Sequence, residues 1–139
     1  MAYRFHDDGT LPSNGEVFVF GSNLAGRHGK GAAVIAKQRF GANYGVSAGY
    51  MFGGTPGAHC YAVPTKDANI RTLPLDEIEY HVSQFRKAAA ESDLFGLTFF
   101  VTRIGCGLAG YKDADIAPMF AGFPDNCSFP KEWERYLNF

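Results

Sequence analysis

Apolar residues along the chain come in short runs separated by glycine and polar clusters, and the runs follow two different periods. Glu16 to Phe20 (EVFVF) is β-branched and aromatic, bounded by Asn14-Gly15 before it and Gly21-Ser22-Asn23 after it, and predicts a buried strand. His59 to Pro64 (HCYAVP), ending in Thr65-Lys66-Asp67, predicts a second strand. Leu97 to Ile104 (LTFFVTRI) predicts a third, apolar nearly throughout as strands covered on both faces are. Between them the period lengthens. Ala32 to Phe40 is good helix-forming sequence, with Gly41 in the position of a C-terminal cap. Pro74 marks the start of a second helix, and Asp76 and Glu77 in its first turn complement the helix dipole. Ile78, Val82, Phe85 and Ala89 line one face of it, and Gly96 closes the segment. A short helix from Asp113 to Phe120 and a last helical turn or two over Pro130 to Leu137 complete the series, while Gly45 to Gly57 reads as loops with one short strand.

Strands alternating with helices predict an α/β fold, a three-layer α/β/α sandwich around a mixed, mainly parallel sheet. At 139 residues, without a linker, an internal repeat or a low-complexity tract, residues 1–139 read as a single domain. In such sheets ligands bind beyond the carboxyl ends of the strands. Three such ends are polar or glycine-rich here: Gly21-Ser22-Asn23, Pro64-Thr65-Lys66 and Gly105-Cys106-Gly107. If the strands are parallel, these ends meet on one rim.

Composition narrows the function classes. A hydrophobic content of 46% and an aromatic content of 15% supply a true core and argue against disorder. A net charge of −1 gives no global field toward nucleic acid or an acidic membrane, so a nucleic-acid partner enters only as a locally held, modified substrate. Cys60, Cys106 and Cys127 are odd in number and form no C-x-x-C pair, which favours a reducing compartment and gives no zinc signature. No apolar run approaches the roughly 20 residues that span a bilayer. With no apolar stretch at Met1 to Asp8 either, the expectation is a cytoplasmic protein without a membrane partner, metal or cofactor.

Glycine is the outlier, with 17 residues, many crowded between Gly21 and Gly57. In Gly26-Arg27-His28-Gly29-Lys30-Gly31-Ala32-Ala33, small residues lead into a helix N-terminus, where open backbone N–H groups and the dipole suit a diphosphate. The loop is no P-loop, because Gly29-Lys30-Gly31 lacks the following Ser or Thr. It is no G-x-G-x-x-G fingerprint either, because Val34 stands where the last glycine belongs. From the loop alone, a phosphate cradle and a turn that serves only packing both stay open.

Three motifs in order resemble one family. Asn23 to Ala32 after a strand is similar to the first ligand loop of macro domains, in the branch of the DNA ADP-ribosyl glycohydrolase antitoxins and the terminal ADP-ribose protein glycohydrolases. Tyr61 to Lys66 (YAVPTK) resembles that branch's strand ending Pro-Thr-Lys, and Arg103 to Leu108 (RIGCGL) resembles its second phosphate loop. The resemblance spans Val17 to Phe120 and implies a macro-like fold that binds ADP-ribose or an ADP-ribosylated substrate. It implies that Gly29, Lys30, Gly31 and Ala32 line the diphosphate and distal ribose, beside Gly21, Ser22 and Thr65 at the strand ends. Gly105, Cys106, Gly107, Leu108, Ala109, Gly110 and Tyr111 would close from the other side. Asn23 matches a ribose-contacting Asn, and Lys66 a catalytic lysine that attacks the anomeric carbon once the ring opens. Ala109 departs from the pattern, standing where the protein glycohydrolases have an Asp, and Lys112-Asp113 replaces the Asp-Trp frequent in the antitoxins.

Other residues carry two readings each. His28 is either a phosphate or acid group, or a surface histidine without a role. His59 reads as a satisfied strand histidine and Cys106 as a small filler rather than a nucleophile. Tyr44, Tyr50, Phe52 and Tyr111 stack on a ligand or belong to the core. Asp113 and Asp115 read as helix-start residues, and Asp7 or Asp8 is the candidate adenine partner. The function expected is ADP-ribose binding with hydrolysis of an ADP-ribosyl linkage. The alternative is a binder that sequesters ADP-ribose or a related nucleotide signal.

Overall fold

The computed structural model describes residues 3–12, 15–53 and 58–137. Its elements are β1 (Arg4–His6), β2 (Val17–Asn23), α1 (Ala32–Arg39), β3 (Gly49–Phe52), β4 (His59–Lys66), α2 (Leu75–Ser92), β5 (Phe99–Val101), α3 (Asp113–Ile116), β6 (Cys127–Pro130) and α4 (Glu134–Leu137). The strands form one sheet in the order β1-β6-β5-β2-β4-β3, parallel at every pairing except β3 with β4.

The layering follows from alternation within β2. Val17 and Val19 point to one face, Phe18 and Phe20 to the other, and all four are buried, so helices must cover both sides. On the first face α2, α3 and α4 pack against Val17, Val19, Val63, Phe99 and Val101. There the helix stripe Ile78, Val82, Phe85 and Ala89 meets an aromatic group of Phe120, Phe123, Phe129 and Trp133. On the second face α1 alone supplies Ala33 and Ala36 against Phe18, Phe20, Cys60, Ala62 and Phe100. This is the mixed, mainly parallel three-layer sandwich that the alternation of elements predicts.

Boundaries differ where pairing overrides composition. β2 runs on through Gly21, Ser22 and Asn23, because these align with Val63, Pro64 and Lys66 of β4. The third strand shrinks to Phe99–Val101, since Thr102 turns both its N–H and its hydroxyl onto the Val19 carbonyl, at 3.1 and 2.8 Å. The helix expected over Asp113 to Phe120 is α3 followed by a 3-10 turn over Ala117–Phe120, tightened at Pro118. Two strands had no sequence signal. β1 has three residues and β6 four, too short for a period to register, and β6 takes Pro130 from the expected terminal helix, which begins as a 3-10 turn at Lys131. Among the described residues, no helix is long and apolar enough to cross a membrane.

Candidate functional site

The loops after β2, β4 and β5 enclose a cavity of about 510 Å³. Gly21, Ser22, Asn23, Gly29, Lys30, Gly31, Ala32, Thr65, Lys66, Gly105, Cys106, Gly107, Leu108 and Ala109 all line it. Gly110 and Tyr111 do not. The Tyr111 hydroxyl turns away to the Leu73 carbonyl at 2.8 Å and braces the loop from behind. The two glycine loops face each other closely enough that a Cβ placed on Gly31 would lie 3.3 Å from Leu108 Cδ1.

The first loop is held by neutral contacts. The Asn23 side chain clasps Arg27 on both sides, Nδ2 donating to the Arg27 carbonyl at 2.8 Å and Oδ1 accepting its N–H at 3.0 Å. Each of the two amide atoms keeps one further hydrogen-bonding position. Gly26 is required because its Cα abuts Gly45, where a Cβ would come within 2.4 Å of the carbonyl carbon. Gly31 opens α1 at φ 61° and ψ −142°, a conformation open essentially to glycine alone. No side chain caps that helix and no acidic residue stands in its first turn, so the partial positive charge of its N-terminus faces the cavity unneutralised.

Ser22 and Thr65 line the wall, but their hydroxyls are engaged within it, Ser22 with the Ser47 carbonyl and Thr65 with the Ser22 carbonyl. His28 is neither a surface residue nor a lining one. It is 5% exposed, lies edge-on to Phe20, and leaves both ring nitrogens without a hydrogen-bond partner. Burial holds its pKa below the ordinary histidine value; the nearby Val46 backbone opposes this, though it is not placed for a hydrogen bond.

The second loop is held by charge. Arg103 donates to both carboxylate oxygens of Asp113, at 3.1 and 2.7 Å, and reaches Asp8 at 3.3 Å. Trp133 Nε1 donates to the same Asp113 at 2.8 Å. Burial alone would raise the Asp113 pKa, but the bonds from Arg103 and Trp133, with the Cys106 thiol nearby, outweigh it and lower it. Asp113 is thus a tie between loop and C-terminal segment, while Asp115 is the helix-start residue, accepting the Lys112 N–H at 3.1 Å. The loop's internal bonds use the amides of Cys106, Gly110 and Tyr111. Among the described residues, the amides of Gly107, Leu108 and Ala109 have no protein acceptor. Burial, then Asp113, push the Cys106 thiol up to about 12, so it stays protonated beside the cavity as a filler.

Part of the cavity is built from residues not singled out as ligand contacts in the sequence. His6, Phe18 and Phe100 line it, with Thr10 and Leu11 from the segment after β1. The His6 ring stacks on Phe100 with centroids 3.7 Å apart and planes 17° from parallel. Its Nε2–H donates to the Val101 carbonyl at 2.9 Å, which leaves Nδ1 to accept from the Ser128 hydroxyl at 2.7 Å. Burial lowers its pKa, so the ring is kept neutral and flat against Phe100. Asp8, not Asp7, reaches the cavity. Tyr44, Tyr50 and Phe52 stay away from it: Tyr44 and Phe52 are exposed, and Tyr50 bonds Ser92. His59 is satisfied at the start of β4 by the Gly15 carbonyl.

Lys66 sits half-buried at the end of β4, its backbone paired with Thr72. Among the described residues, no carboxylate forms an ion pair with its amine, and no group of three residues is placed to hold a metal ion. The arrangement offers backbone donors from two sides, an aromatic shelf on one side of β2, and an amine on the other.

Comparison with solved structures gives the same architecture. The macrodomain of Mycobacterium tuberculosis DarG superimposes with a TM-score of 0.70 at 18% identity, over 93% of this chain and 97% of that one. The fold is that of a macrodomain. Thermosipho africanus DarTG in complex with ADP-ribose matches with a TM-score of 0.56 at 16% identity, over 86% of this chain and 39% of that longer one. No protein-family model and no curated protein sequence matches the chain.

Proposed function

We propose that this macrodomain binds ADP-ribose in the cavity and cleaves an ADP-ribosyl linkage there. The observation that carries the reading is that one cavity collects three different kinds of recognition group, in an order that suits the ligand. The stacked pair His6 and Phe100 offers a flat apolar face for adenine. The uncapped start of α1 and the unpaired amides of Gly107, Leu108 and Ala109 suit two phosphates approached from both sides. Lys66, across β2 from the aromatic shelf, then faces the distal ribose. The solved complex of Thermosipho africanus DarTG with ADP-ribose, similar in fold, supports the choice of ligand.

In this reading Asn23 is a positioning residue that fixes the first loop and turns its remaining amide capacity to the ribose. Lys66, with its amine neutral, attacks the anomeric carbon of the opened ring, the acceptor leaves carrying a proton, and water hydrolyses the resulting imine to free ADP-ribose and the amine; alternatively it holds the charge that develops there. A second reading, binding without turnover, is favoured by Ala109, which leaves no carboxylate on that wall to pass a proton to or from Lys66. Calorimetry with ADP-ribose, AMP and adenosine tests binding. Release of ADP-ribose from modified protein and modified DNA, by wild type and by Lys66→Ala, tests turnover. Release by wild type but not by the variant is the expected result. Tight binding without release in either leaves the binder, and no binding at all rejects both readings.

A further inference from the structure

Resting on the reading that ADP-ribose fills the cavity, we propose that Ile70 is a specificity-determining residue, selecting the group attached to the distal ribose by its apolar surface. Ile70 adopts φ 63° and is the sole non-glycine residue with positive φ among the described residues. A β-branched side chain in the left-handed region costs stability, and such outliers persist only where the surroundings enforce them. Here they do. The Asp67 carboxylate accepts the N–H groups of Asn69 and Arg71, at 2.8 and 3.0 Å, and the Asp67 N–H donates to the Arg71 carbonyl at 2.7 Å. Thr72 Oγ1 then ties the turn to the Ala109 carbonyl of the second loop at 2.9 Å.

Asn69, a residue type that tolerates this conformation, stands one position earlier, yet the turn sets Ile70 at the strained place. The result is an aliphatic side chain, 39% exposed, at the cavity wall four residues beyond Lys66. Leu108, 63% exposed, lines the same cavity from the loop to which the turn is tied. In the proposed pose, a group attached to the ribose carbon beside Lys66 shares this cavity wall with these two side chains. Neither offers a hydrogen bond, so they favour a flat or aliphatic attachment and penalise a charged one that they would strip of water.

The test is binding of ADP-ribose and of two derivatives substituted at the distal anomeric oxygen, one with a benzyl group and one with a carboxymethyl group. Wild type, Ile70→Gly and Ile70→Asn are compared, both replacements being at ease with positive φ. The wild type is expected to prefer the benzyl derivative about tenfold, and both variants to lose most of that preference while their affinity for ADP-ribose itself changes by less than about twofold. Thermal midpoints at or above that of wild type show the variants folded. A preference unchanged in the variants overturns the proposal. So does an ADP-ribose affinity that falls in step with the benzyl affinity, because Ile70 would then be ordinary wall. Failure of the wild type to bind ADP-ribose is the separate outcome that removes the functional reading, and this proposal with it.

Discussion

The two glycine loops face one cavity but are fixed by different physics. The loop after β2 is neutral in its supports: the Asn23 clasp on Arg27, the backbone contact of Gly26 with Gly45, and a buried His28 with nothing bonded to its ring. The loop after β5 is pinned by an ion-paired hub in which Arg103 joins Asp113 and Asp8, and Asp113 also holds Trp133. Both nevertheless turn unpaired amides toward the same space. The loop that follows the long central strand inherits its placement from seven paired residues, whereas β5 contributes only three and its loop needs side-chain ties. Backbone donors aimed at an anion therefore need a scaffold, and sheet pairing or ionic tethering can each supply it.

The largest expected effect strikes both loops alike. A Cβ on Gly29 or on Gly107 meets no protein atom within 4 Å, and neither residue has a positive φ, so each site has open space where a side chain would begin. Gly29→Val and Gly107→Val should each keep unfolding stability within about 1 kcal/mol of wild type. Each should weaken ADP-ribose by roughly 100-fold, through displacement of charge-assisted bonds worth about 3 kcal/mol. Calorimetry and denaturant melts check both halves. Loss in one variant only would break the symmetry.

The supports separate the loops. Asp113→Ala leaves Arg103 and Trp133 without their common acceptor and should cost about 2–3 kcal/mol in denaturant unfolding. Asn23→Ala removes two neutral hydrogen bonds and should cost about 1–2 kcal/mol. Because Arg103 and Asp113 are 32% and 21% exposed at the side chain, salt screens them. Repeating the melts in concentrated salt should shrink the Asp113→Ala cost and leave that of Asn23→Ala unchanged. Equal salt responses would erase the distinction.

The smallest effect comes from His28. Its folded pKa lies below the unfolded one, so as pH falls through the ordinary histidine range the unfolded chain takes up a proton that the folded chain refuses. Stability is therefore full above that range and declines on acidification. His6 and His81, also lowered by burial, contribute in the same direction. Thermal melts from about pH 7.5 to about pH 5 should show the decline, and His28→Phe should flatten part of it. A slope unchanged by the substitution would place the cause elsewhere.

Sequence patterning revealed the central strands, the long helix and both glycine loops, because each has either a clear period or a run of residues suited to one conformation. Fourteen of the residues singled out for the site come together at the cavity wall. What stayed hidden has a common cause. β1 and β6 are too short to show alternation, and they carry His6 and Ser128, so the His6–Phe100 shelf forms only through pairing across more than a hundred residues. Tyr111 looked like a ligand contact from its place beside the loop, but a hydroxyl's direction depends on which carbonyl lies within reach, here that of Leu73. The strain at Ile70 was equally silent, since isoleucine is no turn residue, and the Asp67 bonds that force it, though local, leave no mark in the sequence of which residue takes positive φ.

The most direct probe is the set of backbone ¹⁵N–¹H resonances during titration with ADP-ribose and, separately, with adenosine. Signals of Lys30, Gly31 and Ala32 should move downfield together with those of Gly107, Leu108 and Ala109, at one common midpoint and with ADP-ribose only. Adenosine should shift only the neighbours of His6 and Phe100. Movement confined to one loop, or the same pattern with adenosine, would contradict a diphosphate held between the two.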